Sequence, residues 1–67
     1  MKVHFDEQAD ALYIRLDESD IVESEEVHPG VILDFDDRDQ VVGIEILNVK
    51  NRIALTDLNN IQVNVSA

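Results

Sequence analysis

Apolar and polar residues alternate with a period of two along most of the chain, the mark of strands half buried in a sheet. In Val31-Ile32-Leu33-Asp34-Phe35-Asp36, one face collects Val31, Leu33 and Phe35, while Asp34 and Asp36 point the other way. In Val41-Val42-Gly43-Ile44-Glu45-Ile46-Leu47 the apolar face is Val42, Ile44 and Ile46. The polar run Asp37-Arg38-Asp39-Gln40 between them predicts a turn that closes an antiparallel hairpin. Asp39 falls where a positive φ is needed, which Asp tolerates better than most residues other than glycine. An earlier pair of runs, Lys2 to Asp6 and Ala11 to Leu16, flanks Glu7-Gln8-Ala9-Asp10 and places Leu12, Ile14 and Leu16 on one face. Laid over the second hairpin, Phe5-Asp6-Glu7 falls on Phe35-Asp36-Asp37, and Leu12, Ile14 and Leu16 fall on Val42, Ile44 and Ile46. This is a weak internal repeat, and the general likeness of half-buried hairpins accounts for it equally well.

Between the hairpins, Asp17-Glu18-Ser19-Asp20 predicts a loop, and Ile21 to Val27 an edge strand whose glutamates oppose sheet-to-sheet association. His28-Pro29-Gly30 interrupts pairing, since proline removes a donor and glycine permits a sharp turn or bulge. Thr56-Asp57-Leu58 opens a short helical turn within residues 53–59, and Ile61-Gln62-Val63-Asn64-Val65 alternates like a last strand. The fold class expected is mainly β: a small antiparallel sheet of two hairpins plus a C-terminal strand, in one domain over residues 1–67.

The second face of such a sheet carries His4, Tyr13, Arg15, Ile32, Val41, Gly43, Glu45 and Leu47. That mixture is too apolar to be simply solvated and too polar for a dry core. Two covers are open: the C-terminal segment with Ile53, Leu55 and Leu58, or another molecule. Tyr13, Arg15, Ile32, Gly43, Glu45 and Leu47 are therefore the candidate interaction face. Gly43 marks a bulge or a close backbone approach over Tyr13.

Charge changes the picture most. Fifteen acidic residues against five basic ones give a formal net charge of −10. The cations Lys2, Arg15, Arg38, Lys50 and Arg52 are scattered, so direct nucleic-acid binding is not expected, and anionic membranes are repelled as well. The same field favours a basic partner protein. The chain has no cysteine, no apolar run of membrane-spanning length and no signal-like N-terminus, which makes the cytoplasm the expected compartment. Without disulfides or a Cys/His cluster for zinc, self-association or a partner is the remaining source of extra stability for so short a chain.

Candidate chemistry is thin. Asp34, Asp36, Asp37 and Asp39 crowd one turn with Glu45 nearby, but a solvated turn suits neither half of an acid/base pair. Counting Asp34 as the first position of a calcium loop puts Asp36 third and Glu45 twelfth; Arg38 at the fifth and Asp39 at the glycine position break the pattern. His4 and His28 have no third ligand or nucleophile beside them in sequence, and Ser19, Ser24 and Ser66 lack a nucleophile-elbow context. Gly30 and Gly43, the only glycines, make no phosphate loop. No catalytic residue, cofactor or metal is expected.

Asp6 with Ala9-Asp10-Ala11-Leu12-Tyr13-Ile14, Ser24 with Glu26-Val27, Pro29-Gly30-Val31-Ile32-Leu33-Asp34-Phe35-Asp36 and Val42-Gly43-Ile44-Glu45-Ile46-Leu47 resemble the DUF2283 family of small prokaryotic proteins, over roughly the first three quarters of the chain. The resemblance implies no activity, because the family's role is unassigned. Some members are encoded beside small toxin-like proteins, which implies an antitoxin-like, neutralising role. Glycine is frequent in that family in the second hairpin turn, where this chain has Asp39. The leading expectation is a protein–protein interaction module that caps a small basic protein. The alternative is a self-associating homodimer with no separate ligand; a small enzyme and a nucleic-acid mimic stand behind both.

Overall fold

The computed structural model describes residues 1–66 and forms one five-stranded antiparallel sheet. The strands are β1 (Lys2–Asp6), β2 (Ala11–Arg15), β3 (Glu23–His28), β4 (Val31–Phe35) and β5 (Val41–Leu47). They lie in the order β1-β2-β5-β4-β3, so the two hairpins meet along β2 and β5, and β1 and β3 form the edges. A 3-10 turn at Val49–Asn51 and one short helix, α1 (Leu55–Leu58), follow. The expected edge strand begins two residues later than its apolar start, because Ile21 and Val22 remain in the approach to β3.

The internal repeat is present in the hydrogen-bond register. In the first hairpin Lys2 faces Arg15, Val3 faces Ile14 and His4 faces Tyr13. The corresponding residues of the second pair in the same way: Ile32 with Glu45, Leu33 with Ile44 and Asp34 with Gly43. Ile14 and Ile44, equivalent in the repeat, face each other across the β2–β5 seam. A pseudo-twofold axis therefore passes through that pair, perpendicular to the sheet. The match fails near the second turn, where Asp34 faces Gly43 but Phe35 faces Val41, so that Val42 is the extra residue of a bulge. The bulge turns Val42 inward to 2% exposure. It also takes Val41 out of the alternation expected for the second face.

Residues paired across strands point to the same side, so the register defines both faces. One face carries the rows Val3-Ile14-Ile44-Leu33 and Phe5-Leu12-Ile46-Val31, with Glu25 and His28 at the β3 end. The other carries Lys2-Arg15-Gly43-Asp34-Ser24 and His4-Tyr13-Glu45-Ile32-Glu26. The apolar face lacks a full second layer. Its side chains are half-buried or exposed, apart from Val42. The molecule measures 36 × 34 × 18 Å with a radius of gyration of 12.9 Å. A compact chain of this length would have about 11 Å. It is a plate.

The C-terminal segment departs from expectation. Ile61 to Val65 form no strand; Ile61, Val63 and Val65 stand 55%, 70% and 90% exposed. Leu55 and Leu58 do not cover the polar face either. With Phe5, Glu7 and Asn59 they line a shallow, open cleft of about 200 Å³ beside β1. Alternation specifies which side chains share a face, but a strand also needs a partner, and residues 61–65 pair with no strand among the described residues. The segment before them is firmly tied. The Lys50 amide donates to Asp10 Oδ1 (3.1 Å), and Arg52 donates through Nε to the Leu47 carbonyl (3.0 Å) and through Nη2 to the Pro29 carbonyl (3.2 Å). Val49 is 1% exposed beneath this clamp.

Candidate functional site

Tyr13, Arg15, Ile32, Gly43, Glu45 and Leu47 all lie on the polar face, brought together by the β2–β5–β4 register. A chain of hydrogen bonds crosses that face. Ser24 Oγ on β3 donates to Asp34 Oδ1 (2.6 Å), and Tyr13 Oη on β2 donates to Asp34 Oδ2 (2.9 Å). Arg15 Nη1 donates to Tyr13 Oη (3.3 Å), while its Nε donates to the Asp17 carbonyl (2.6 Å) and its Nη2 to that of Ser19. Asp17 Oδ1 in turn accepts from the Ser19 amide and hydroxyl, each at 3.0 Å, which holds the loop under the guanidinium. The network spans four strands and passes directly over Gly43 on β5.

Gly43 is what lets it cross. A Cβ there would stand 2.5 Å from Tyr13 Oη, 2.9 Å from Asp34 Oδ2 and 3.1 Å from Tyr13 Cζ. The backbone conformation is ordinary at this position, so the requirement is for space. The close approach over Tyr13 expected from the sequence is therefore present, and the bulge lies one residue away at Val42. Burial raises the Tyr13 phenol pKa, the hydrogen bond from Arg15 opposes that rise, and the neighbouring Asp34 carboxylate adds to it. Tyr13 thus stays protonated as the donor that Asp34 needs.

The acidic turn is wet at Asp37 and Asp39, as its composition predicts, but not at the other two aspartates. Asp34 and Asp36 are 8% and 3% exposed. Asp36 Oδ1 accepts the amides of Arg38 (2.9 Å) and Gln40 (3.0 Å), and its backbone carbonyl accepts that of Asp39 (3.1 Å). Arg38 lies 3.9 Å from Asp36 Oδ2. Asp36 is a staple for the turn, and Asp39 takes the expected positive φ of 61°. Sequence reasoning missed this because burial of an aspartate depends on amides that only the folded turn supplies; the sole hint was the alignment of Asp36 with Asp6. Asp6 Oδ1 accepts the Gln8 and Ala9 amides (3.0 and 3.1 Å) in the first turn, but Asp6 remains exposed.

Chemically the network is closed on itself. Ser24 donates to the Asp34 carboxylate, whose other oxygen accepts from Tyr13, and every buried side-chain nitrogen or oxygen among the described residues has a partner. His4 lies opposite Tyr13 and His28 at the β3–β4 turn, and both are exposed. Among the described residues no three His, Cys, Asp or Glu side chains are placed to hold a metal ion. The carboxylates of the calcium-loop count are dispersed: Asp34 and Glu45 sit in different rows of the polar face, and Asp36 is taken up by its own turn. The cleft of about 200 Å³ beside Phe5 falls below the roughly 300–1,000 Å³ usual for small-molecule sites. Among the described residues no helix is long and apolar enough to cross a membrane. The surface that stands out is the opposite one, the half-covered apolar face, with Glu25 beside Leu33 and Glu23 beside Phe35 along its β3 margin.

No curated protein and no solved structure matches the chain. Residues 2–50 match the family described as "Protein of unknown function (DUF2283)", a span that takes in all five strands and ends within the 3-10 turn. The paired hairpins, the Tyr13–Asp34 bond over Gly43 and the two aspartate-stapled turns are thus the architecture of a chain that belongs to the DUF2283 family.

Proposed function

We propose that this protein is a protein–protein interaction module whose apolar sheet face is completed by another protein, and that the partner is small and basic. The observation that carries the reading is the single-layered sheet. Two rows of valine, leucine, isoleucine and phenylalanine lie on one face, which residues of α1 border at Phe5. Domains bury such a face against a second layer. The folded chain exposes 5174 Å². A compact monomer of its mass would expose about 4,300 Å². The surplus, to which the C-terminal tail also contributes, is close to the roughly 800 Å² that one partner gives to a standard interface.

The choice of partner rests on charge. A net charge of −10, with Glu23 and Glu25 on the margin of the apolar face, suits a protein that offers an apolar patch rimmed by lysine or arginine. An acidic cap of this kind would neutralise a basic protein by occluding its charged surface, which is the antitoxin-like role. The polar face contributes rigidity, since Tyr13, Arg15, Asp34 and Ser24 tie β2, β4 and β3 together across β5.

The test is a tagged pull-down from the native host at low and moderate salt, with wild type and Leu33→Glu in parallel. Circular dichroism checks that the variant folds. The reading predicts a stoichiometric small basic protein with wild type, weakened at moderate salt and lost with Leu33→Glu. Recovery of the bait without a partner under every condition would overturn it, and so would equal capture by the variant.

A further inference from the structure

The sheet has two edges, and they are built differently. The β3 edge carries Glu23, Glu25 and Glu26 and is kinked by a bulge at Val27, where Glu26 faces Ile32 but His28 faces Val31. Charge and irregularity of this kind block the addition of further strands. The β1 edge, Lys-Val-His-Phe-Asp, is charged at its two ends alone, Lys2 and Asp6, and has no bulge: its register with β2 is unbroken over five residues, and among the described residues no strand pairs with its outer side. Open edges of this sort accept strands.

The chain also carries an unpaired segment of strand pattern. Ile61-Gln62-Val63-Asn64-Val65 is rich in β-branched residues at alternate positions, and it forms no backbone hydrogen bond with the described residues. The helix α1 delivers it to the right place, since Asn59 lines the same cleft as Glu7 and Phe5 at the end of β1. An antiparallel strand that begins there sets Ile61 opposite Phe5 and Val63 opposite Val3. Gln62 then falls opposite His4 and Asn64 opposite Lys2. Both faces of the sheet continue correctly, with branched apolar side chains beside Val3 and Phe5 and amides beside Lys2 and His4. A shift of one residue would put every tail side chain on the wrong face, so the pattern excludes the odd registers.

We infer that the β1 edge takes the Ile61–Val65 segment of a second copy of this chain as a sixth strand, and that the exchange is reciprocal. The unpaired state of the tail supports a second copy over the chain's own edge. Ile61, Val63 and Val65 stay 55%, 70% and 90% exposed although the open β1 edge lies beside the point where the tail starts. Each tail starts beside its own β1, so a twofold contact that places two β1 edges together lets each tail reach the other's edge. The exchange uses an edge and leaves the apolar face open, so it is independent of the partner proposed for that face.

The chain has no cysteine, which makes cross-linking clean. Full-length His4→Cys and Gln62→Cys proteins are mixed and oxidised gently, and the products are weighed by mass spectrometry. The mixed disulfide is expected to exceed both self-linked products, and the double variant should form a covalent dimer. Native mass of the unmodified chain should show a dimer that becomes a monomer on truncation after Asn60, and also with Val63→Pro, which removes a ladder donor. A disulfide within one chain of the double variant would overturn the inference in favour of closure on its own edge. A dimer that survives truncation, or a full chain that stays monomeric up to high micromolar concentration, would overturn it too.

Discussion

The two hairpins share a register and differ in how they are finished. In the first, Asp6 staples the turn from an exposed position, β1 and β2 pair without irregularity, and Tyr13 is the large side chain on the polar face. In the second, the equivalent Asp36 is buried, β5 is bulged at Val42, and the equivalent of Tyr13 is Gly43. The same pairing scheme thus supports one plain hairpin and one whose turn is sealed and whose polar face has been hollowed. The difference shows that register is set by the alternation common to both, while the individual hydrogen bonds are set by the places where the repeat breaks down.

The hollow is where the comparison breaks most easily. Gly43→Ala drives a methyl against Tyr13 Oη and Asp34 Oδ2, and is expected to cost about 2–3 kcal/mol in urea unfolding, within the range for overpacking. Alanine at a first-hairpin position that points to solvent, such as His4, should cost less than about 0.5 kcal/mol. Equal effects would mean that the space over Gly43 is not limiting.

The turns come next. Asp36→Ala orphans the Arg38 and Gln40 amides in a buried setting and should cost about 2 kcal/mol. Asp6→Ala removes the same kind of bond where water can replace it, and about 0.5–1 kcal/mol is expected. A ratio near one would erase the distinction between sealed and open turns.

Tyr13→Phe removes the bond from Tyr13 to Asp34 and should cost about 1 kcal/mol. It also has a pH signature. The phenol pKa is raised in the folded chain by burial, against the opposing Arg15 bond and with the aid of Asp34. The unfolded chain therefore loses its phenolic proton first as pH rises. Stability from this group is whole below about pH 10 and declines as pH climbs from there through the folded value. Denaturant midpoints across that range should fall more steeply for wild type than for the phenylalanine variant. Since Tyr13 is the only tyrosine, tyrosinate absorbance of the native protein titrates this residue alone.

The smallest effect separates the turns by sign. Asp39 holds φ at 61° without using its side chain in the turn, so Asp39→Gly should stabilise by about 0.5 kcal/mol. Asp10 holds φ at 53°, but its carboxylate accepts the Lys50 amide. Asp10→Gly should therefore be neutral or slightly destabilising in the same thermal melts.

Much of the fold is legible in the sequence, because a period of two is a direct consequence of strand geometry. Strands β1, β2, β4 and β5 follow from it; β3 is expected from its glutamates, the Asp39 conformation from turn chemistry and the approach of Gly43 to Tyr13 from a glycine within a strand. The two-hairpin repeat could be seen but not decided until Ile14 and Ile44 were found facing each other. Three features lay beyond reach for physical reasons. Asp36 is buried by amides of its own turn, which no pattern of side chains announces. Leu55 and Leu58 lie beside Phe5 instead of under the polar face, because the clamp of Arg52 on Leu47 and Pro29 sets the path of the chain. Ile61 to Val65 have a strand's pattern but pair with no strand among the described residues. The residues of the candidate interaction face lie on one side of the sheet, where the hydrogen bonds of Tyr13 and Arg15 turn inward upon one another.

Gly43 has a further consequence for fidelity of assembly. Hairpins that share a register are at risk of pairing with copies of themselves during folding, like with like. Two first hairpins joined along β2 would bring two tyrosine rings to the space that Tyr13 alone occupies over Gly43. Two second hairpins joined along β5 would leave that space empty and Asp34 without its phenolic donor. Only the unlike pair fills the gap and satisfies the carboxylate, so one missing side chain tells each hairpin which partner is its own.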